Sequence, residues 1–183
     1  MPTPEPHRMD PDQPSPHSAA NKAARLLWAV AYHGVFRWTP PPLHGVRRAV
    51  LRLFGARIGS GAYVHPSVRI WAPWNLRLGA QACLGPGVEC YNVATVSVGA
   101  RSTVSQRATL CAATHDHRDA RMPLVPRPIA IGPEAWIAME AFIGPGVRVG
   151  ARAVVGARAV AVRDVPAGWV AAGNPCRPVR RRW

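Results

Sequence analysis

A six-residue repeat of mostly aliphatic residues constrains the fold of this chain more than any other feature of its sequence. In its first part the repeat has a period of 20 residues, so that Ile58, Leu78 and Val98 align and each is followed by glycine. After an interruption, the same six-residue spacing returns with a period of 18 residues. The repeat positions are occupied by Ile58, Val64, Ile70, Leu78, Leu84, Cys90, Val98, Val104, Leu110, Ile131, Ile137, Ile143, Val149, Val155 and Ala161. A sandwich of short strands would not keep one register over so long a segment.

Each six-residue unit is typical of a short strand followed by a tight turn. A small residue stands four positions after the aliphatic one, and this second set comprises Ala62, Ala82, Ser102, Ala135, Ala141, Ala153 and Ala159. Three units make one triangular coil, and stacked coils bury the aliphatic side chains while each backbone pairs with the coils above and below. The two additional residues of each 20-residue coil form a bulge on its third side. The sequence therefore predicts a parallel β-helix over residues 58–183.

The residues before the repeat divide into two segments. Residues 1–18 contain six prolines and no apolar stretch, which predicts a disordered tail. Residues 19–57 are basic and contain no acid, with one predicted helix over 19–38 and a second over 44–54. A basic amphipathic helix can lie on an anionic membrane surface. The alternative is that this segment caps the open end of the β-helix, and both roles can hold on different faces.

Composition narrows the classes of protein to which the chain can belong. Its 23 basic and 9 acidic residues give a net charge of +14, yet it contains no recognised nucleic-acid motif. A basic binding module for membranes or nucleic acid therefore remains only as an alternative function. The longest apolar run, over residues 26–36, is too short to span a membrane, which needs about 20 residues. Four cysteines without a CxxC pair favour a reducing compartment, so we expect a cytoplasmic protein, peripheral at most to the inner membrane face.

Several ordered motifs add to the repeat. They include Pro42-Leu43-His44-Gly45, Pro73-Trp74-Asn75-Leu76, Thr114-His115-Asp116, Ala135-Trp136-Ile137-Ala138 and Ala172-Gly173-Asn174-Pro175. With these motifs the chain resembles the WcaF-type acetyltransferases of exopolysaccharide synthesis, within the hexapeptide-repeat acyltransferase superfamily. The resemblance implies an all-β fold, a left-handed parallel β-helix with an N-terminal helical segment. Parallel crossovers are usually right-handed, so the hand rests on the resemblance alone.

The same resemblance implies an activity and an assembly. Members transfer an acetyl group from acetyl-CoA to a sugar hydroxyl and act as homotrimers, with each site in a cleft between neighbouring subunits. For this chain it implies O-acetylation of a sugar or lipid-linked saccharide in surface polysaccharide synthesis. N-acetylation of an amino sugar is a close variant. No cysteine matches a family nucleophile, so we expect direct transfer without an acyl-enzyme.

His115 is the predicted catalytic base. It ends the third coil, immediately before residues 116–130, which fit no six-residue unit and are expected to leave the column as a loop. An imidazole, with an ordinary pKa of about 6.5, is suited to removing a hydroxyl proton at neutral pH. The pair Thr114-His115 matches the catalytic histidine of the family, whereas its position alone would also suit a surface histidine in a loop.

The two residues after His115 have alternative roles. Asp116 can orient an imidazole or simply solvate the loop, and His117 can contact the sugar or join His115 in holding a metal. The His-x-His pattern is similar to that of γ-class carbonic anhydrases, which share the fold, and such a metalloprotein is an alternative function. Those enzymes need a third histidine, and no match supports His65 in that role. We therefore expect no metal.

Polar residues of the second coil are candidates for binding the acceptor. Tyr91 and Asn92 lie on its third side, where an asparagine can donate a hydrogen bond to a sugar hydroxyl or to an oxyanion. The alternative for Asn92 is a turn residue that satisfies the backbone. Glu89 faces outward on the same side and is a further candidate for a sugar contact.

The cofactor site is implied by the resemblance to related acetyltransferases. The positions that match their coenzyme A contacts are the amides of Met139 and Ala157, then Val162 and Arg163, and for the phosphates Arg177 and Arg180. Arginine binds phosphate through charge-assisted hydrogen bonds, although each of these arginines can also be ordinary surface charge. Trp136 is expected beside this cleft or at the seam of the trimer.

Overall fold

The structure, a computed structural model, describes residues 15–183, so most of the predicted disordered tail lies outside the described residues. The first helix, α1 (Ala19–Ala31), begins after Ser18, whose hydroxyl accepts a hydrogen bond from the Asn21 N–H at 3.2 Å. It continues into a single π-helical turn, Tyr32–Phe36, and the second helix, α2, spans His44–Leu53. Both helices were predicted at these places. None of the described helices has the length and apolar character needed to cross a membrane.

After the helices the chain winds into five full coils of three short strands each. The strands of the first three coils are β1 (Arg57–Ile58), β2 (Tyr63–Val64), β3 (Arg69–Ile70), β4 (Leu76–Leu78), β5 (Cys83–Leu84), β6 (Glu89–Tyr91), β7 (Val96–Val98), β8 (Thr103–Val104) and β9 (Thr109–Cys111). A projecting hairpin follows, made of β10 (Ala113–His115) and β11 (Leu124–Pro126). The later strands are β12 (Ile129–Ile131), β13 (Trp136–Ile137), β14 (Phe142–Ile143), β15 (Arg148–Val149), β16 (Val154–Val155), β17 (Val160–Ala161), β18 (Trp169–Ala172) and β19 (Arg177–Arg181).

Equivalent strands of successive coils pair in parallel and form the three faces of the column. The first face has the order β1-β4-β7-β12-β15, and the third has the order β17-β14-β9-β6-β3. The second face contains β2, β5, β8, β13, β16 and β18 and ends in the antiparallel strand β19. This topology confirms the predicted parallel β-helix.

The register follows the sequence repeat. Ile58 pairs with Leu78, Leu78 with Val98, Val98 with Ile131, and Ile131 with Val149. Every predicted repeat position and every predicted small position is buried in the core. The additional residues of the first coil form a short 3-10 helix, Pro73–Asn75, which is the predicted bulge. The column is therefore held by apolar ladders inside and backbone hydrogen bonds between coils.

Two features of the corners explain the residues found there. A Cβ on Gly59 would lie 2.5 Å from the backbone nitrogen of Ala80 in the next coil, so only glycine fits at this corner.

At another corner Arg107, Glu140 and Arg158 each have a φ of 58°, and their side chains point outward. The Glu140 carboxylate bonds Arg107 at 2.5 Å and Arg158 at 2.7 Å, so these side chains form a ladder of ion pairs across three coils.

The segment predicted as a loop over residues 116–130 is largely a hairpin, and its boundaries were wrong. The antiparallel pairing already begins at Ala113, which faces Pro126, and Thr114 faces Val125. The column resumes at Ile129, whose N–H donates to the Thr95 carbonyl at 3.0 Å. The reason is local, because β-branched side chains on both arms pair across the hairpin in a way that the six-residue pattern does not reveal.

The N-terminal segment covers the first coil, as the capping alternative predicted. Trp28, Phe36 and Leu51 are buried against the core, and the Trp28 indole N–H donates to the Ile70 carbonyl at 2.7 Å. The outward face of α1 is different, because Leu26 and Leu27 are exposed. Helix α1 is therefore apolar on both sides, with only one side covered by this chain.

Candidate active site

The hairpin β10–β11 holds His115 in a defined orientation. His115 faces Leu124 across the hairpin, and its Nδ1 lies 2.6 Å from the carbonyl oxygen of Met122. A carbonyl oxygen can only accept a hydrogen bond, so Nδ1 carries the proton, and in the neutral imidazole the lone pair lies on Nε2. The side chain is exposed. An exposed Nε2 with a lone pair is able to accept a proton from a bound hydroxyl group.

The tip of the hairpin is ordered by its aspartates. The Asp116 carboxylate accepts a hydrogen bond from the Arg118 N–H at 3.0 Å, and the Asp116 N–H donates to the Pro123 carbonyl. The Asp119 carboxylate pairs with Arg121 at 2.9 Å, and this hydrogen bond lowers the pKa of Asp119 to about 2. The structure thus gives Asp116 a role in shaping the turn beside His115. His117 is exposed at the same tip.

Tyr91 lies one coil below the base of the hairpin. It pairs with Cys111 in the next coil, and its carbonyl accepts a hydrogen bond from the Ala112 N–H at 3.0 Å. Its ring meets that of Trp71 at a centroid distance of 5.8 Å. Tyr91 also lines a groove of about 630 Å³ between α1 and the third face of the column, and Glu89 lines the same groove. The structure therefore brings two of the predicted acceptor-binding residues together in one groove, one coil below the base of the hairpin.

Asn92 does not reach the surface of this chain, contrary to its predicted contact with the acceptor. It is fully buried, and its side-chain oxygen accepts hydrogen bonds from the N–H groups of Trp71 at 3.1 Å and Ala72 at 3.0 Å. Its amide nitrogen donates to the Ala72 carbonyl. At the bulge on the third side, the Ala72 N–H donates to no backbone carbonyl within residues 15–183, and the Asn92 side chain supplies its acceptor. The structure thus supports the alternative role as a turn residue.

Two of the predicted coenzyme A contacts lie on one corner of the column. Met139 and Ala157 occupy equivalent turns of successive coils, and the Arg158 N–H donates to the Met139 carbonyl at 2.9 Å. Within residues 15–183, neither the Met139 N–H nor the Ala157 N–H donates a hydrogen bond. The ladder of ion pairs runs beside them and lowers the pKa of Glu140, chiefly through the hydrogen bond from Arg158. Both amides are thus available to an extended ligand that accepts hydrogen bonds.

The other predicted contacts are spread over a second corner and the last strand. Val162 and Arg163 are exposed in the turn after β17, one face away from Met139. Arg177 and Arg180 lie on β19, where all residues are exposed. The Arg177 guanidinium donates to the Cys176 carbonyl at 3.0 Å. Val162 and Arg163 thus lie at a different corner from Met139, and Arg177 and Arg180 lie on the last strand.

Comparison with known proteins decides the family. No protein-family profile matches the chain. Over 156 residues, covering 85% of the chain and 86% of the relative, it is 38% identical to WcaF of Escherichia coli (strain K12), an acetyltransferase assigned to colanic acid biosynthesis. The chain belongs to the WcaF-type hexapeptide-repeat acetyltransferases.

More distant acetyltransferases agree with this assignment. The galactoside O-acetyltransferase of Escherichia coli (strain K12) is 30% identical over 137 residues, or 73% of the chain and 68% of the relative. A solved galactoside acetyltransferase in complex with coenzyme A superposes with a TM-score of 0.83 at 26% identity, covering 91% of the chain and 84% of that structure.

The cysteines of this WcaF-type acetyltransferase are poorly suited to nucleophilic attack. Burial raises the pKa of Cys90 to about 12 and also raises the pKa values of Cys83 and Cys176. Cys111 is half-buried, and its thiol donates to the Ala113 carbonyl at 3.2 Å. In residues 15–183 no three histidine, cysteine or acidic side chains cluster in a way that could hold a metal ion.

Sequence reasoning missed the basic residues of the groove. Arg25, Arg37 and Arg69 line it together with Trp71. Arg25 and Arg37 were noted only as part of a basic segment, and Arg69 is one of many outward residues of the repeat. The absence of acids over residues 19–57 was the available signal. It could not indicate that Arg25 and Arg37 line the same groove as residues of β3 and β6.

Proposed function

We propose that this protein is an O-acetyltransferase that moves an acetyl group from acetyl-CoA to a saccharide hydroxyl in surface polysaccharide synthesis. The observation that carries the proposal is the hydrogen bond between Nδ1 of His115 and the Met122 carbonyl, which leaves Nε2 as a base. The relatives support the chemistry, since one is assigned to colanic acid biosynthesis and another is a galactoside O-acetyltransferase.

Transfer proceeds by direct attack in a ternary complex. Nε2 of His115 accepts the proton of the acceptor hydroxyl as its oxygen attacks the thioester carbonyl carbon, which gives a tetrahedral intermediate. The carbon–sulfur bond then breaks, and the imidazolium returns the proton to the departing thiolate. Assistance of this kind contributes about 10²–10⁴-fold to the rate. No acyl-enzyme is needed, and the raised pKa values of the Cys83, Cys90 and Cys176 thiols support this mechanism.

The donor binds along the corner that carries Met139 and Ala157. Their free N–H groups donate to the amide carbonyls of the pantetheine arm, and Arg177 and Arg180 bind the phosphates. The coenzyme A complex of the superposable galactoside acetyltransferase supports a site for this donor on the fold. Val162 and Arg163 complete the site.

The active form is a homotrimer whose sites lie between subunits. Trp136 projects from the second face with 47% of its surface exposed, and its indole N–H donates to the Ser105 hydroxyl at 2.9 Å. An exposed tryptophan on a flat strand face is typical of an interface. Packing around a threefold axis covers it and brings residues of separate chains, including those at the Val162 corner, into one cleft.

The enzyme works at the cytoplasmic face of the inner membrane on a lipid-linked acceptor. Leu26, Leu27 and Val30 are exposed on the outer face of α1, and residues 19–57 contain basic residues and no acids. Apolar side chains flanked by cations are suited to an anionic lipid surface.

Acetyl transfer is tested directly with acetyl-CoA labelled in its acetyl group and a panel of glycans. We expect the label in saccharide, as an ester that mild alkali releases. Label that alkali does not release would show N-acetylation, and label transferred to no saccharide would overturn the proposed activity.

A further inference from the structure

We propose that the groove between α1 and the third face of the column selects acceptors that carry an anionic group, a carboxylate or a phosphate. The inference deepens the proposed function and rests on it. It names the class of acceptor: an acidic saccharide rather than a neutral one. The residues that carry it are Arg25, Arg37 and Arg69, with Trp71 and Tyr91 as the aromatic walls.

The charge of the groove is strongly unbalanced. Three arginines line it, and Glu89 is the only acidic residue among the described residues of its wall. The ion pairs found within residues 15–183 join Arg101 to Glu134, Arg107 and Arg158 to Glu140, and Arg121 to Asp119. None of these pairs uses an arginine of the groove. A group of arginines that forms no ion pair with a carboxylate of residues 15–183 favours an anionic ligand.

The aromatic side chains give the groove an apolar wall. The Arg25 guanidinium carbon lies 4.1 Å from the centre of the Trp71 ring, which restrains this cation over the ring. Trp71 in turn meets Tyr91 at 5.8 Å and His17 at 4.9 Å. Such a site combines aromatic surface for the face of a sugar ring with a fixed cation for a charged substituent.

The register of the third face relates the groove to the proposed base. Arg69 on β3 pairs with Glu89 on β6, so the two side chains are neighbours on adjacent coils. Tyr91 ends β6 and pairs with Cys111, two residues before the hairpin begins. An acceptor whose anionic group meets Arg69 and Arg25, and which runs past Glu89 and Tyr91, reaches the coil from which the hairpin with His115 projects.

Guanidinium groups discriminate strongly between acidic and neutral ligands. Arginine binds carboxylate and phosphate through paired charge-assisted hydrogen bonds, which are stronger than its bonds to neutral oxygens. A neutral sugar would displace water from three arginines without compensating their charge. A uronic acid and a glycosyl diphosphate both supply the required anion, and they differ in where the charge sits relative to the ring.

The test compares matched acceptors under identical conditions. The probes are p-nitrophenyl β-D-glucuronide, its neutral methyl ester, and UDP-glucose. We expect kcat/KM for at least one anionic probe to exceed that for the ester by about tenfold or more. Preference for the glucuronide would assign the groove to a carboxylate, and preference for UDP-glucose would assign it to a phosphate. Equal values for all three probes would overturn the inference.

Substitutions of the groove arginines test whether these residues cause the selectivity for anionic acceptors. Arg69→Ala and Arg25→Ala should lower kcat/KM for the preferred anion by about tenfold, mainly through KM, and leave the ester within about twofold. Arg57→Ala is the matched control, because Arg57 begins the equivalent strand on a different face of the same coil and is also exposed. Unchanged selectivity in both groove variants would contradict the assignment.

Binding without the donor separates this inference from the proposed activity. Titration calorimetry with the two anionic probes should show tighter binding to wild type and His115→Ala than to Arg69→Ala. Anionic probes that bind no more tightly than the ester would overturn the groove assignment even in an active enzyme. Retained anion binding with no acetyl transfer would support the groove assignment and contradict only the proposed activity.

Discussion

At the scale of single residues, a buried arginine fixes the join between the helical segment and the column. Arg47 is fully buried, and burial lowers the pKa of its guanidinium. It donates to the carbonyls of Val64, Thr39, Pro40 and Pro41 at 2.6–3.1 Å, and it contacts Nδ1 of His44 at 2.7 Å. Within residues 15–183 no carboxylate takes part, so carbonyl oxygens and the His44 imidazole compensate this charge. The segment of three prolines thus packs around a buried cation, and its carbonyl oxygens take the place of water around that cation.

Replacing this side chain tests its structural role. Arg47→Ala leaves several buried carbonyls without a donor, each costing about 1–3 kcal/mol, so the free energy of unfolding should fall by about 3 kcal/mol or more. Urea denaturation measures the change. The exposed Arg57→Ala should change stability by less than about 0.5 kcal/mol. An Arg47→Ala protein as stable as this control would show that the guanidinium does not hold the segment.

At the scale of structural elements, the corner of the coils that contains Gly59 has no room for a side chain. Gly59→Ala would place its Cβ 2.5 Å from the Ala80 nitrogen. The backbones of residues 59 and 80 cannot move apart without breaking the pairing of two coils. We expect a loss of about 1–3 kcal/mol in thermal or urea unfolding. Gly34→Ala is the matched control, since a Cβ there meets nothing within 4 Å. Equal stability of the two variants would refute the close packing at this corner.

Also at the scale of structural elements, helix α1 presents an apolar face that this chain does not cover. Leu26, Leu27 and Val30 are 68%, 64% and 66% exposed. Changing all three to serine should abolish cosedimentation with vesicles containing anionic phospholipid, because the inserted apolar surface is lost. Val179→Ser, an exposed valine on β19, should bind like wild type. If wild type fails to cosediment, or if the triple variant binds equally well, the membrane is not the partner of this face.

The structural elements also show how much of the fold and of the site could be predicted from the sequence alone. The six-residue period fixed the coils, their register and their core, because each unit repeats one packing environment. The hairpin was predicted only as a loop. Thr114 and Val125 pair across a turn, and this pairing does not follow the six-residue period. The role of Asn92 could not be decided, because its partners Trp71 and Ala72 lie one coil away. The basic groove depends on how α1 packs on the column, which no local pattern of Arg25 or Arg69 describes.

At the scale of the whole molecule, the column places the candidate functional surfaces on different faces and corners. Its third face and α1 enclose the groove, one corner presents the amides of Met139 and Ala157, and the hairpin carries His115. In the proposed trimer, a neighbouring subunit would place its donor corner beside the groove.

Measuring the mass in solution tests this assembly. We expect sedimentation velocity to give three times the mass of one chain, and Trp136→Asp to dissociate the trimer and abolish acetyl transfer, because a charge replaces an apolar contact. Trp183→Asp, which changes an exposed tryptophan at the C-terminus, should remain trimeric. A monomeric wild-type protein with full activity would contradict the shared site.

The most direct test of the whole account is the turnover of His115→Ala with acetyl-CoA and a saccharide acceptor. Loss of the base should lower kcat by about 10²–10⁴-fold while the affinity for coenzyme A stays unchanged. His65→Gln is the control, because this imidazole lies on the first coil and contacts the Ser67 hydroxyl at 2.7 Å. A His115→Ala enzyme that keeps about half or more of the wild-type kcat would contradict the assignment of His115 as the base.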